Sequence, residues 1–134
     1  MSLLDATPPK PTNPLRKTIL LLVILAAVIA GLLTFMFWNY PEERAVTKFL
    51  ATVQQGDYQK AYKLWQPAPS YSFNDFMHDW GPQGDYGTIR SVRIVDTHSK
   101  GSQITIVTVR INEQDPPLEL VVDRSTKSLS YSIF

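Results

Sequence analysis

Cysteine is absent from the 134 residues, so neither disulfides nor thiolate metal sites contribute, and the redox compartment stays open because absence fits either side of a membrane. Histidine is nearly absent too. His78 and His98 are the two present, and at that separation, without sulfur partners, they make no metal site. No glycine-rich phosphate loop and no Gly-x-Ser-x-Gly elbow occurs, which removes the commonest nucleotide and serine-hydrolase signatures. An excess of one charge is also missing: thirteen Lys and Arg face twelve Asp and Glu. From Pro41 onward the counts are ten and eleven, a net of −1. A phosphate-tracking surface needs a concentrated basic excess, so nucleic acid is excluded as a partner.

Charge is wholly lacking from Thr18 to Tyr40. Ile19 to Phe37 is almost entirely aliphatic or aromatic, close to the roughly 20 residues that a helix needs to cross about 30 Å of hydrocarbon. A cleaved signal has an apolar region of about 7 to 15 residues followed by small residues. Here the run is longer and ends in Phe35-Met36-Phe37-Trp38-Asn39-Tyr40, so an uncleaved anchor over residues 18–40 is expected. Trp38 and Tyr40 suit the headgroup layer, apolar at one end and hydrogen-bonding at the other; Arg16 and Lys17 mark the opposite interface. Basic flanks are retained in the cytoplasm, which predicts a single pass through the inner membrane with the N-terminus inside. Residues 1–17 are expected as a Pro-rich cytoplasmic tail, of which Met1 to Pro14, carrying Pro8, Pro9, Pro11 and Pro14, is extended and non-helical.

Within the span, Ala26 with Ala30 and Ala27 with Gly31 form two overlapping small-xxx-small pairs, a flat stripe on which a partner helix can pack. No ionisable residue lies there, so the span itself carries neither a proton path nor a metal ligand.

The remaining residues, 41–134, are enough for one domain with its own core. Val46, Phe49, Leu50 and Val53 repeat at helical spacing behind Pro41-Glu42-Glu43, whose acidic pair suits a helix N-terminus. Gly56 ends that helix and Asp57 caps the next, in which Tyr58, Ala61, Tyr62 and Trp65 share a face until Pro67 and Pro69 stop it. Ser72 with Asp75 opens a third helix by a capping box, with Phe73, Phe76, Met77 and Trp80 as its apolar stripe. Four β-branched runs follow, Thr88 to Asp96, Ile104 to Ile111, Leu118 to Val122 and Leu129 to Ile133. In the second run Ile104 and Ile106 fall on one parity while Val107, Val109 and Ile111 fall on the other, which predicts a bulge or a strong bend there. The expected fold is α+β: an N-terminal transmembrane helix, then three helices packed on a curved four-stranded antiparallel sheet.

This order of elements, together with Gln55-Gly56-Asp57-Tyr58-Gln59-Lys60-Ala61-Tyr62, resembles the cystatin-like, nuclear-transport-factor-two-like superfamily, in which bacterial membrane-tethered domains open with a similar helix junction. The resemblance implies a curved sheet around a conical pocket, and it spans isomerases, dehydratases, small-ligand binders and protein-binding modules. Fold alone therefore selects no function.

In that superfamily a histidine with neighbouring carboxylates is the usual acid and base, which draws attention to Asp75, His78 and Asp79. At 100° per residue all three fall opposite the apolar stripe and are expected in solvent, where catalytic tuning is weak. The aromatics Trp65, Tyr71, Phe73, Phe76, Trp80 and Tyr86 are expected mainly in the core. Tyr71, Trp80, Asp85, Tyr86 and Arg90 are nevertheless read as a candidate recognition rim, because aromatic and charged residues concentrate binding energy at protein contacts. The favoured expectation is a non-catalytic, membrane-tethered interaction module with no cofactor, an accessory subunit of a larger membrane complex whose partners are membrane lipid and another membrane protein. The alternatives are a small-ligand-binding domain and an isomerase- or hydrolase-like enzyme.

Overall fold

The computed structural model describes residues 7–11 and 13–133; residues 1–6 and Thr12 of the expected tail, and Phe134, lie outside the described residues. The chain divides into two compact units between Phe37 and Trp38. The first contains helix α1, Pro14–Met36. It starts earlier than expected because Pro14 occupies the first turn, where its missing N–H costs nothing, and the Asn13 side chain accepts from the Leu15 amide at 3.3 Å. Its 23 residues extend about 34 Å at ~1.5 Å each. None is buried, and the Thr18 and Thr34 hydroxyls donate back to the carbonyls of Pro14 and Ala30, so their polar groups are satisfied within the helix. Helix α1 is long and apolar enough to cross a membrane.

The second unit begins with Trp38. Helix α2, Tyr40–Gln54, buries Val46, Phe49, Leu50 and Val53 along the expected stripe, with Glu42 buried on the same side. Gly56 follows at φ +78°, a left-handed conformation that favours glycine and closes the helix. Asp57 then accepts from the Lys60 amide to start α3, Tyr58–Trp65. Helix α4, Phe73–Trp80, opens with the full reciprocal capping box between Ser72 and Asp75.

The sheet is an antiparallel meander in the order β1-β2-β3-β4, made of Val92–Lys100, Ile104–Ile111, Leu118–Asp123 and Leu129–Tyr131, and it does not close on itself. The bulge lies in β1 rather than in β2: the β1–β2 register skips at Val95, between Ile94 and Asp96, whereas β2 pairs with β3 without a break. The parity switch in β2 has another origin. Ile106 sits between His98 of β1 and Val121 of β3 in the ladder, so an interior strand is covered by neighbours on its outer face as well, and Ile106 is buried outside the main core.

Helix α2 packs across β1, β2 and β3, and α3 packs on β4. The core between them is aromatic. Phe49 lies 5.1 Å from Trp65, 6.1 Å from Phe76 and 5.0 Å from Trp80 by ring centroids, mostly at the tilted and edge-on angles that such quadrupoles prefer. Val107, Val109, Leu120 and Val122 of the sheet close the other side.

Candidate functional site

Of the three groups with catalytic residue types, the two carboxylates are each engaged separately. Asp75 is exposed and spent on the cap, its Oδ2 accepting from the Ser72 amide at 2.9 Å and hydroxyl at 2.7 Å; these bonds hold its carboxyl below the usual range. His78 is exposed beside a shallow groove with Asn74, Met77, Pro82 and Gln83. Asp79 corrects the expectation that all three face solvent. It is half-buried, and its Oδ2 accepts from the Tyr71 hydroxyl at 2.5 Å and the Tyr131 hydroxyl at 2.9 Å. Burial, reinforced by the Asp79 contact, pushes the Tyr71 phenol upward; burial, followed by the Tyr71 and Asp79 contacts, does the same to Tyr131. The helical wheel places Asp79 on the outer side, but the loop and β4 fold over that side and enclose it.

The space in which the resemblance implies a conical pocket is filled by side chains. Trp65 and Trp80 lie 5.8 Å apart, and Tyr131 contacts both, at 5.0 Å from Trp65 and parallel to Trp80 at 6.3 Å.

The expected rim separates into core and surface. Trp80 is not a rim residue: it is wholly buried, because the stripe of α4 places it against Phe49. Tyr71 is half-buried and turned into the Asp79 cluster. Tyr86 stacks on Trp80 at 4.6 Å, half-buried, with its phenol raised first by burial and then by the Asp79 and Asp85 charges. Asp85 and Arg90 are exposed. Tyr86 and Arg90 line one open groove of about 470 Å³ with Thr88, Ser91, Asn112 and Glu113.

Asn112 builds that groove. At φ +51°, its Oδ1 accepts from the Arg90 amide at 2.7 Å and the Ser91 amide at 3.2 Å, while Nδ2 donates to the Thr88 carbonyl at 2.9 Å. The side chain thus stands in for a strand. For this reason Thr88 to Ser91, expected as the start of the first strand, runs beside the sheet without joining its ladder. The signal in the sequence was the asparagine itself, which tolerates the left-handed conformation and mimics backbone hydrogen bonding.

A second polar cluster ties the first residues of the domain to the β3–β4 turn. Glu42 is 2% exposed, with Oε1 2.9 Å from Lys127 Nζ and 3.9 Å from Arg124 Nη1. Arg124 Nη2 donates to Asn39 Oδ1 at 2.7 Å and to Ser99 Oγ at 2.5 Å, and its guanidinium lies 5.6 Å from the Trp38 ring centroid, within cation–π range. Glu42, expected only as an acid suited to the helix N-terminus, sits four residues before Val46 and so also extends the buried stripe. Trp38 and Tyr40 are exposed and belong to the second unit. Arg16, Lys17 and the stripe of Ala26, Ala27, Ala30 and Gly31 are exposed on α1.

His98 is exposed, and its Nδ1 lies 2.9 Å from Asp96 Oδ2. The i, i+2 spacing on a strand puts the two on one face, the open outer face of the sheet. Among the described residues no three His, Asp or Glu side chains converge on a metal-sized site. Compared with protein-family models, with curated proteins and with solved structures, the chain matches none, so its function is argued from its own residues.

Proposed function

We propose that this chain is a membrane-tethered, non-catalytic interaction module, an accessory subunit of a membrane protein complex. The observation that carries this reading is the filled aromatic interior around Phe49, Trp65 and Trp80. It leaves Asp75 bound to the α4 cap, Asp79 bound to Tyr71 and Tyr131, and His78 exposed at a shallow groove, rather than gathered in an interior where a substrate could be desolvated. Helix α1 supplies the tether, and Arg16 and Lys17 support an orientation with the N-terminus in the cytoplasm of an inner membrane and the domain beyond it. The order of three helices and a four-stranded meander supports kinship with the cystatin-like superfamily, in the branch that binds proteins.

The contact face in this reading is the groove beside Tyr86, Arg90 and Asn112, flanked by Asp85. It offers a rigid backbone, an aromatic edge and both charge signs, the composition that protein contacts favour. The full chain, extracted in mild detergent and analysed by native mass spectrometry and pull-down, is expected to carry a membrane-protein partner that Arg90→Glu or Asp85→Arg releases. A strictly monomeric chain with no partner overturns the reading. Because cysteine is absent, Ser130→Cys gives a unique label site: an impermeant maleimide is expected to reach it from outside the cytoplasm.

A further inference from the structure

The folded domain carries an open groove of about 260 Å³ between α2, the end of α3 and the β3–β4 turn. Arg44, Lys48 and Lys127 line it with Ala45, Leu64 and Gln66, and among the described residues no carboxylate does. Lys127 is held by the buried Glu42 beneath it. Arg44 and Lys48 are exposed and form no ion pair among the described residues. Standing four residues apart on α2, they occupy one helix face. Ala45 and Leu64 add an apolar patch. The result is a pair of unspent cations over a partly apolar cleft, on a domain whose net charge is −1 with them included.

The start of the same unit indicates which anion is at hand. Trp38 and Tyr40 are exposed, and Trp38 is fixed over Arg124. Exposed Trp and Tyr rings directly after an apolar helix belong to the headgroup layer. Arg44 and Lys48 follow Tyr40 on the same helix, four and eight residues on.

We propose that this groove binds the phosphate of an anionic phospholipid headgroup, so that the domain is held on the membrane surface by charge as well as by its tether. Arg44 and Lys48 contact the phosphate oxygens, Lys127 adds field from the far wall, and Ala45 and Leu64 take the glycerol region. A bare tether would leave the domain free to tumble; a headgroup in this groove presents one side of it to the bilayer and the other to partners.

The test uses the full chain in detergent with equimolar phosphatidylglycerol and phosphatidylcholine, and native mass spectrometry to count retained lipids. Phosphatidylglycerol is expected to dominate. Each removed cation should cost about fivefold, so Arg44→Gln/Lys48→Gln should lower the phosphatidylglycerol preference roughly 30-fold without changing the melting temperature. Arg44→Lys/Lys48→Arg should keep it, since the charge is kept. The proposal is overturned if the two lipids are retained equally, if the preference survives Arg44→Gln/Lys48→Gln, or if inorganic phosphate at matched concentration displaces phosphatidylglycerol, which would make a soluble anion the ligand.

Discussion

Tyr131 of β4 donates its hydroxyl proton to Asp79 of α4 across 2.9 Å, and Tyr71 donates to the same carboxylate oxygen at 2.5 Å. One acceptor thereby joins a loop, a helix and the last strand. Tyr131→Phe removes one of these bonds and should cost about 1.5 kcal/mol; Asp79→Ala strands two phenols and should cost more, about 3 kcal/mol. The phenols also set an alkaline limit. Both are raised above their ordinary value of 10, so near that pH the folded chain keeps protons that the unfolded chain sheds. Stability from this source is therefore complete below about pH 10 and declines as pH rises beyond it. Thermal melts between pH 8 and 11 should show the decline, and Tyr131→Phe should flatten it.

Trp80 and Phe49 meet edge to face at 5.0 Å with neither exposed. Trp80→Ala should cost about 3 to 5 kcal/mol in a urea titration, as large-to-small changes in packed aromatic cores do. A residue serving only as a contact rim would leave the midpoint unmoved, so this measurement separates the two roles.

Local periodicity made most of this architecture legible. The stripes of Val46 to Val53, Tyr58 to Trp65 and Phe73 to Trp80, and the punctuation at Gly56, Asp57 and Ser72, depend on neighbours a turn away, and the helices follow them. What periodicity does not carry is which element folds over which. Asp79 reads as solvent-facing until β4 brings Tyr131 to it. Ile106 reads as a bulge until the ladder shows strands on both sides. Glu42 lies on an apolar stripe but has a polar name, and only the distant Lys127 and Arg124 explain its burial. The candidate site was less legible than the fold for the same reason: Arg90 and Asn112, or Arg44 and Lys127, are joined by tertiary packing alone.

Asn112 gives up three side-chain hydrogen bonds when changed to alanine. Two of them come from the backbone amides of Arg90 and Ser91, which have no strand partner to replace it. Asn112→Ala should speed hydrogen exchange at those two amides strongly, while the β2 amides remain protected. The net cost should be about 2 kcal/mol, with a further contribution because alanine is strained at φ +51°. Asn112→Asp keeps the two acceptor bonds and loses the donor to Thr88, so exchange at Arg90 and Ser91 should stay near that of the unaltered protein. Fast exchange in both variants would mean that the segment is held by something other than this side chain.

The buried Glu42 carboxylate makes the cluster at the start of the domain sensitive to removal of one partner. Lys127→Met leaves Arg124 at 3.9 Å as the nearest cation among the described residues, and because Glu42 is buried while Lys127 is partly exposed, the cost should fall between the roughly 1 kcal/mol of an exposed pair and the roughly 3 kcal/mol of a buried one. Glu42→Gln/Lys127→Met removes both charges together and should recover much of that loss, since paired burial gains little over an uncharged pair of similar volume. A double-mutant cycle by chemical denaturation measures the coupling. The same cycle reaches the lipid groove: Lys127 lines it, so Lys127→Met should weaken phosphatidylglycerol retention about fivefold, whereas Glu42→Gln, which frees Lys127 of its counter-charge, should strengthen it. Opposite shifts from two partners in one ion pair cannot come from a general loosening of the fold, and equal shifts in one direction would assign the effect to stability alone.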